Sequence, residues 1–271
     1  MDTMKIALTN MDIRQTEPSV NREKCAELIK RASDFGARLI LFPEMTLTGF
    51  TMDVRQFGEK ADEHGLTETI AYFAEKSSEY EMAVGFGYIS NENEKGKNHF
   101  VVVDSGRIIG DYEKMHPFTY GEESCFYEAG DKLVSVEIDG TGIGLFVCYD
   151  LRFPEIFQAS SEQNQIMAVI ANWPGERITH WHCLLQARAI ETQSVVLGVN
   201  RKGRGGGLEY EASSEVFDCL GRRLDGTQIS TSFGDECILY EIDTKLPEKI
   251  RKEFPVKKDR RKNIYRTFYE V

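Results

Sequence analysis

The sequence has no apolar run long enough to cross a bilayer, which excludes a membrane-spanning helix. It has no CxxC pair. Its six cysteines (Cys25, Cys125, Cys148, Cys183, Cys219 and Cys237) are scattered, which argues against a zinc ribbon or a disulfide framework and suits a reducing compartment. Positive charge is scarce: 33 Lys and Arg face 44 Asp and Glu, for a net charge of −11. An acidic chain repels phosphate backbones, so nucleic acid is set aside as a partner. The one basic run, "KKDRRK" from Lys257 to Lys262, reads as a solvated or interface-bound surface segment. The opening "MDTMKIALTN" lacks the basic start, long apolar middle and cleavage site of a signal peptide, so a cytoplasmic protein is expected. Low-complexity segments and linkers are also missing. What remains is 271 residues, 41% of them hydrophobic, enough for one domain over 1–271 with a charged tail from about Leu246.

The periodicity predicts a strand in "MKIALTN", then a helix from about Ser19 to Phe35 with Cys25, Leu28, Ile29, Ala32 and Phe35 on one face. Gly36 stops it. "ARLILFPE" reads as a buried strand, and a second helix spans about Thr67 to Tyr80. Strands follow in "MAVGFGYIS", "HFVVVDS" and "RIIGDYEK", the last two joined by a tight turn at Ser105-Gly106. The second half repeats the order: strand "IGLFVCYD", a helix from about Pro154, strand "IMAVIANW", a helix over about Thr179–Gln193, then strands "VVLGVNR", "SSEVFD", "RRLDG" and "CILYEID". "RKGRGGGLEY" (Arg201 to Tyr210) reads as a mobile loop. Two βαβα halves predict an α/β fold of two face-to-face sheets with helices outside, a four-layer αββα sandwich; one doubly wound sheet is the competitor.

Three segments break from an apolar run to a reactive side chain: "LILFPEMTLTGF" at Glu44, "GDYEKMHPF" at Lys114 and "GLFVCYDLRFPE" at Cys148. Ligands collect at strand ends in open α/β folds. A carboxylate, an amine and a thiol there suit amide hydrolysis through a thioester. The ordinary fate of a cysteine is a structural core position, but a core cysteine does not need the turn "YDLRFPE" after it. At a strand-turn-helix junction the helix dipole is expected to favour the Cys148 thiolate. Glu44, at the mouth of a buried strand, is expected to have a raised pKa and to act as general base or acid. Lys114 reads as a cation that lowers the thiol pKa and holds an oxyanion. His116 lies two residues beyond Lys114, so a Cys148–His116 dyad is the rival. His180 and His182 cannot share a helix face and make a poor metal pair. Arg152 either grips a substrate carboxylate with parallel bonds or pairs with Asp150 or Glu155. Phe118, Trp173 and Trp181 line a pocket or pack in the core, the core being the better account of Trp181.

Taken together, "FPEMTLTGF", "YEKMHPF", "CYDLRFPE" and "IANWPGERITHWHCLLQARAIETQ" resemble the nitrilase superfamily of carbon-nitrogen hydrolases, over nearly the whole chain. "CYDLRFP", "ANWP" and "ARAIE" are most similar to the omega-amidase-like branch, which includes bacterial proteins that hydrolyse 2-oxoglutaramate. The resemblance implies the αββα sandwich, Cys148 as nucleophile, Glu44 as general base, Lys114 as electrostatic stabiliser, and a second glutamate at Glu122 or Glu123, with Glu123 favoured. It implies hydrolysis of the primary amide of a small carboxylate-bearing substrate, with the oxyanion held by Lys114 and the Tyr149 backbone N–H. Phe118, Trp173, Tyr149 and Arg152 are the expected substrate contacts. No metal or organic cofactor is implied, and assembly is expected as a homodimer. N-carbamoyl or deaminated-peptide amide hydrolysis on the same residues is the alternative, followed by a non-catalytic binding protein. One departure is "YEASS" (Tyr210 to Ser214), where relatives often carry a glycine between the tyrosine and the serine.

Overall fold

The computed structural model describes residues 2–63, 65–91 and 95–268; His64 lies outside them. The first half forms β1 (Thr3–Asn10), α1 (Pro18–Asp34), β2 (Leu39–Leu41), α2 (Val54–Phe57), α3 (Glu68–Glu79), β3 (Ala83–Asn91), β4 (Gly96–Asp104), β5 (Arg107–Glu113) and α4 (Glu123–Phe126). The second half forms β6 (Ser135–Ile138), β7 (Thr141–Val147), α5 (Pro154–Ser160), β8 (Ile166–Ala171), α6 (Ile178–Thr192), β9 (Val195–Asn200), the hairpin β10 (Gly203–Gly205) and β11 (Leu208–Tyr210), and β12 (Glu215–Phe217). β13 (Thr227–Ser230), β14 (Glu236–Asp243), α7 (Leu246–Glu253) and α8 (Lys262–Thr267) complete it.

Local chemistry accounts for several boundaries. Pro18 opens α1, where its missing N–H costs nothing. The Thr67 hydroxyl accepts the Ile70 N–H and caps α3. Ser105 and Gly106 both adopt positive φ (51° and 76°), the geometry whose twist matches a two-residue hairpin.

Strand alternation then builds the layers. In β1, Ile6 and Leu8 point into one apolar cluster and Ala7 into another. In β7, Ile143, Leu145 and Val147 face the first cluster while Phe146 faces a third. The shared cluster joins residues of both sheets, so the sheets pack face to face. The outer clusters cover one sheet with α1 and α3 and the other with α5 and α6. This is the four-layer αββα sandwich. At about 25 cal/mol per Å² of apolar burial, that central layer contributes a large share of the driving force for folding.

The halves are less symmetric than the sequence suggests. The larger sheet has seven strands in the order β13-β14-β1-β2-β3-β4-β5, and the smaller has five, β12-β9-β8-β7-β6. The chain returns to its first sheet at the end, where β14 pairs antiparallel with β1 from Thr3↔Asp243 to Asn10↔Glu236. "RRLDG" is not a strand. Its only pairing is one bridge between Phe217 and Arg223, because Asp218 accepts the N–H groups of Leu220 and Arg222 and holds a turn there. The short strands β6 and β13 carry too few alternating residues to be read from sequence. The loop predicted over "RKGRGGGLEY" folds as the β10–β11 hairpin around Gly206 and Gly207, both at positive φ.

From Leu246 onward the expected tail is two helices tied to the body. Arg251 donates to the carbonyl oxygens of Asn164 and Gln193 and to Ser194 Oγ, and Lys257 donates to Ser161. A charged segment docks here because its cations satisfy carbonyls left free at element ends. Among the described residues no helix is long and apolar enough to cross a membrane.

Candidate active site

The chain leaves β2 at Leu41 and turns sharply at Glu44. The Phe42 and Thr46 N–H groups bond the carbonyls of Gly85 and Gly87 on β3. A Cβ at Gly87 would lie 2.4 Å from the Met45 nitrogen, so only glycine lets this turn approach the strand. Glu44 is thereby locked inside the protein. Its Oε1 accepts Lys114 Nζ at 3.0 Å and Asn98 Nδ2 at 2.7 Å, and its Oε2 accepts the Asn172 backbone N–H at 2.9 Å.

Lys114 follows β5, and its N–H bonds the Asn98 carbonyl. Its ammonium bridges Glu44 and Glu123, reaching Glu123 Oε2 at 2.8 Å. Glu123 is buried and also accepts from Asn98 Nδ2 and the Phe118 N–H, while Glu122 is exposed in a left-handed conformation (φ 61°). The second glutamate brought to the lysine is therefore Glu123.

Cys148 begins the 3₁₀ turn Cys148–Arg152 directly after β7, with φ at 48°. A non-glycine residue there is strained and persists only where its surroundings over-determine it. Asp150 provides much of that restraint. It is fully buried and accepts the Val147 N–H, the His116 N–H and Nδ1–H, and the Tyr112 hydroxyl. These bonds brace the turn after Lys114 against the turn carrying the thiol. His116 is held elsewhere: it gives its Nδ1 proton to Asp150, stacks on Phe153 at 3.8 Å and does not line the pocket that holds Cys148, which counts against the Cys–His dyad.

Glu44, Lys114 and Cys148 share one pocket. Phe50, Phe118, Tyr149, Trp173, Leu208 and Tyr210 form its walls, with Arg152 and Arg177 beside them. The Arg152 guanidinium lies 4.9 Å from the Trp173 ring centroid and 5.9 Å from that of Tyr149; among the described residues it makes no ion pair with Asp150 or Glu155, and its polar contact is His180 Nδ1 at 3.3 Å. Trp181 is fully buried, donates to the Ser213 carbonyl and lies outside the pocket.

Residues 5–252 match the family model described as carbon-nitrogen hydrolase. The chain belongs to that family. It is similar to a 2-oxoglutaramate amidase of Bacillus subtilis (strain 168), with 30% identity over 264 residues, 96% of this chain and 98% of the relative. It is also similar to the omega-amidase YafV of Escherichia coli (strain K12), with 34% identity over 188 residues, 69% of this chain and 71% of the relative. Among solved structures, a CN-hydrolase superfamily protein of Xanthomonas campestris with an arsenic adduct in its active site superposes with a TM-score of 0.86 at 27% identity, covering 96% of this chain and 98% of its own.

The electrostatics of this carbon-nitrogen hydrolase reverse two expectations. Burial alone would raise the Glu44 pKa, but the Lys114 ammonium, Asn98 and the Asn172 N–H together hold it below the usual carboxylate value. Burial pushes the Cys148 thiol well above its ordinary range, the Glu44 carboxylate adds to this, and Lys114 opposes it without prevailing. The junction after β7 therefore holds a neutral thiol in the same pocket as an ionised Glu44. Burial disfavours the Lys114 ammonium, yet Glu123 and Glu44 outweigh it and raise its pKa.

Sequence reasoning missed Asn98, Asn172, Arg177, Phe50 and Tyr210. Asn98 gives no sequence signal, since a polar residue in an edge-side strand is ordinary. Asn172 and Arg177 carried a faint one in "ANWPGER", where polar residues interrupt the end of a wholly buried strand. The "YEASS" departure leaves Tyr210 on the pocket wall, and Ser214 Oγ ties the segment to β1 through the Thr9 carbonyl.

Proposed function

We propose that the enzyme is an amidase that hydrolyses the primary amide of a small carboxylate-bearing substrate of the omega-amidase type, such as 2-oxoglutaramate, through a thioester on Cys148. The observation that carries this reading is the buried chain Glu44–Lys114–Glu123 beside a neutral thiol. The 2-oxoglutaramate amidase and omega-amidase relatives, at 30% and 34% identity, support the substrate class.

In this mechanism Glu44 takes the Cys148 proton as sulfur bonds the amide carbon. The oxyanion is held by Lys114 and the Tyr149 backbone N–H. The tetrahedral intermediate expels ammonia as Glu44 returns the proton to nitrogen, which leaves an acyl-thioester and an ionised Glu44. Glu44 then takes a proton from water as its oxygen attacks the carbonyl. The carbon–sulfur bond breaks, the carboxylic acid leaves and the thiol regains its proton. Glu123 fixes the Lys114 ammonium throughout. Phe118, Trp173 and Tyr149 enclose the carbon chain, and Arg152 meets the distal carboxylate. The enzyme acts as a homodimer, which light scattering of the purified protein tests.

The decisive measurement is mass spectrometry of enzyme quenched with a panel of linear amides. An adduct on Cys148 with the mass of the acyl group, accompanied by ammonia release, is expected for the monoamides of short dicarboxylic acids. Turnover without an adduct on Cys148 in quenched or trapped samples would overturn the covalent scheme, and turnover confined to N-carbamoyl compounds would overturn the substrate class.

A further inference from the structure

We propose that Arg177 is a second arm of the carboxylate site, so that Arg152 and Arg177 clamp one substrate carboxylate between them and Arg177 shares control of the preference for acidic amides. The inference rests on the reading above and names the residue that enforces it.

Four observations converge on Arg177. First, it lines the same pocket as Cys148 and Arg152, although it comes from a different element. Second, its position is locally unfavourable. Arg177 is the N-cap of the 15-residue helix α6 and its side chain caps nothing. That position favours Ser, Thr, Asp or Asn, and the positive end of a helix dipole repels a cation. A residue that breaks local preference without a local gain points to function. Third, neither guanidinium has a carboxylate partner among the described residues. Arg152 stacks over Trp173, and Arg177 lies 5.7 Å from the Phe118 centroid. Stacking on a ring face leaves the N–H edge of a guanidinium free to bond an anion. Fourth, Lys114 is flanked by Glu44 and Glu123 and is assigned to the reacting carbonyl oxygen, so a distal carboxylate needs another cation. A distal substrate carboxylate in this pocket would therefore be met by the arginines.

The backbone presents Arg177 firmly. The Arg177 N–H bonds the Pro174 carbonyl, and Trp173 Nε1 donates to the Arg177 carbonyl at 2.8 Å. The indole that carries the Arg152 guanidinium on its face thus also anchors the backbone of Arg177.

The test compares kcat/KM for the monoamide of butanedioic acid with that for its diamide, which has the same shape without the charge. The ratio of the two is read in the parent, Arg152→Gln, Arg177→Gln and Arg177→Lys. The parent is expected to favour the acid-amide, and Arg177→Gln is expected to lower the ratio about tenfold or more, as does Arg152→Gln. Arg177→Lys should fall between, because it keeps the charge and loses the fork. The inhibition constant of butanedioate against the diamide gives a second reading and should rise in both Arg177 variants. If Arg152→Gln collapses the ratio while the Arg177 variants keep the parent ratio and inhibition constant, Arg177 is structural and the clamp is overturned. A parent ratio near one would instead overturn the acidic-amide reading, and the clamp with it.

Discussion

Glu44 and Lys114, beyond the ends of β2 and β5 in the seven-stranded sheet, are 0% and 1% exposed and bonded to each other. Cys148 and Arg152, beyond β7 in the five-stranded sheet, are only partly buried; one sits on strained backbone and the other lacks a carboxylate partner among the described residues. The larger sheet supplies a frame whose charges are paired before any substrate arrives, one ammonium held between two carboxylates. The smaller sheet supplies the thiol and the guanidiniums that a substrate would complete. Separating the two lets a site be preorganised and still reactive, since fixed charges need no rearrangement when the reaction begins.

The largest test of this contrast is Cys148→Ala. It should lower ammonia release by about 10⁴-fold or more, while the urea midpoint moves by no more than about 1 kcal/mol in stability. Activity at the parent rate would remove the thiol from the chemistry. Lys114→Met should act differently and cost both properties. It leaves Glu44 and Glu123 buried without their cation, a loss of about 3–5 kcal/mol at neutral pH. In the parent, the depressed Glu44 pKa adds stability above the usual carboxylate pKa, and that contribution is lost as pH falls through the folded value. In the variant, Glu44 without its cation instead takes up a proton as pH falls, so the gap between parent and variant should narrow in acid. A gap that is constant with pH would break the account of a frame held by paired charges.

The smallest effect is kinetic. The raised Cys148 pKa keeps the resting thiol neutral, with its stabilising contribution present below the ordinary thiol value and lost as pH rises beyond it. Alkylation of Cys148 by iodoacetamide should therefore keep accelerating as pH rises past 9.0, the ordinary thiol value. A plateau near neutral pH would mean that the thiolate pre-exists, and would put Cys148 back among the dipole-activated thiols.

Elements with a local cause were legible from sequence. The α1 face at Cys25, Leu28, Ile29 and Ala32, the start of α3 at Thr67 and the Ser105-Gly106 turn are decided within a few residues and appear where the pattern predicts; Phe35, expected on that face, instead lies exposed past the helix end. The strand ends at Glu44, Lys114 and Cys148 were legible too, because each breaks an apolar run. The docking of α7 and the single bridge in place of a strand at "RRLDG" depend on partners far along the chain, and no local window contains them.

The sequence by itself determined which side chains stand at strand ends and which faces are apolar, because both follow from the period of the backbone. Only the tertiary structure decided their charge states. Whether a buried carboxylate loses or keeps its proton depends on what lies within a few ångströms, and for Glu44 those neighbours are Asn98, Lys114 and Asn172. The same holds for the choice of Glu123 over Glu122 and for the arrival of Arg177 in the pocket that Arg152 lines. These depend on how two sheets meet, and the distances across that meeting are set by packing.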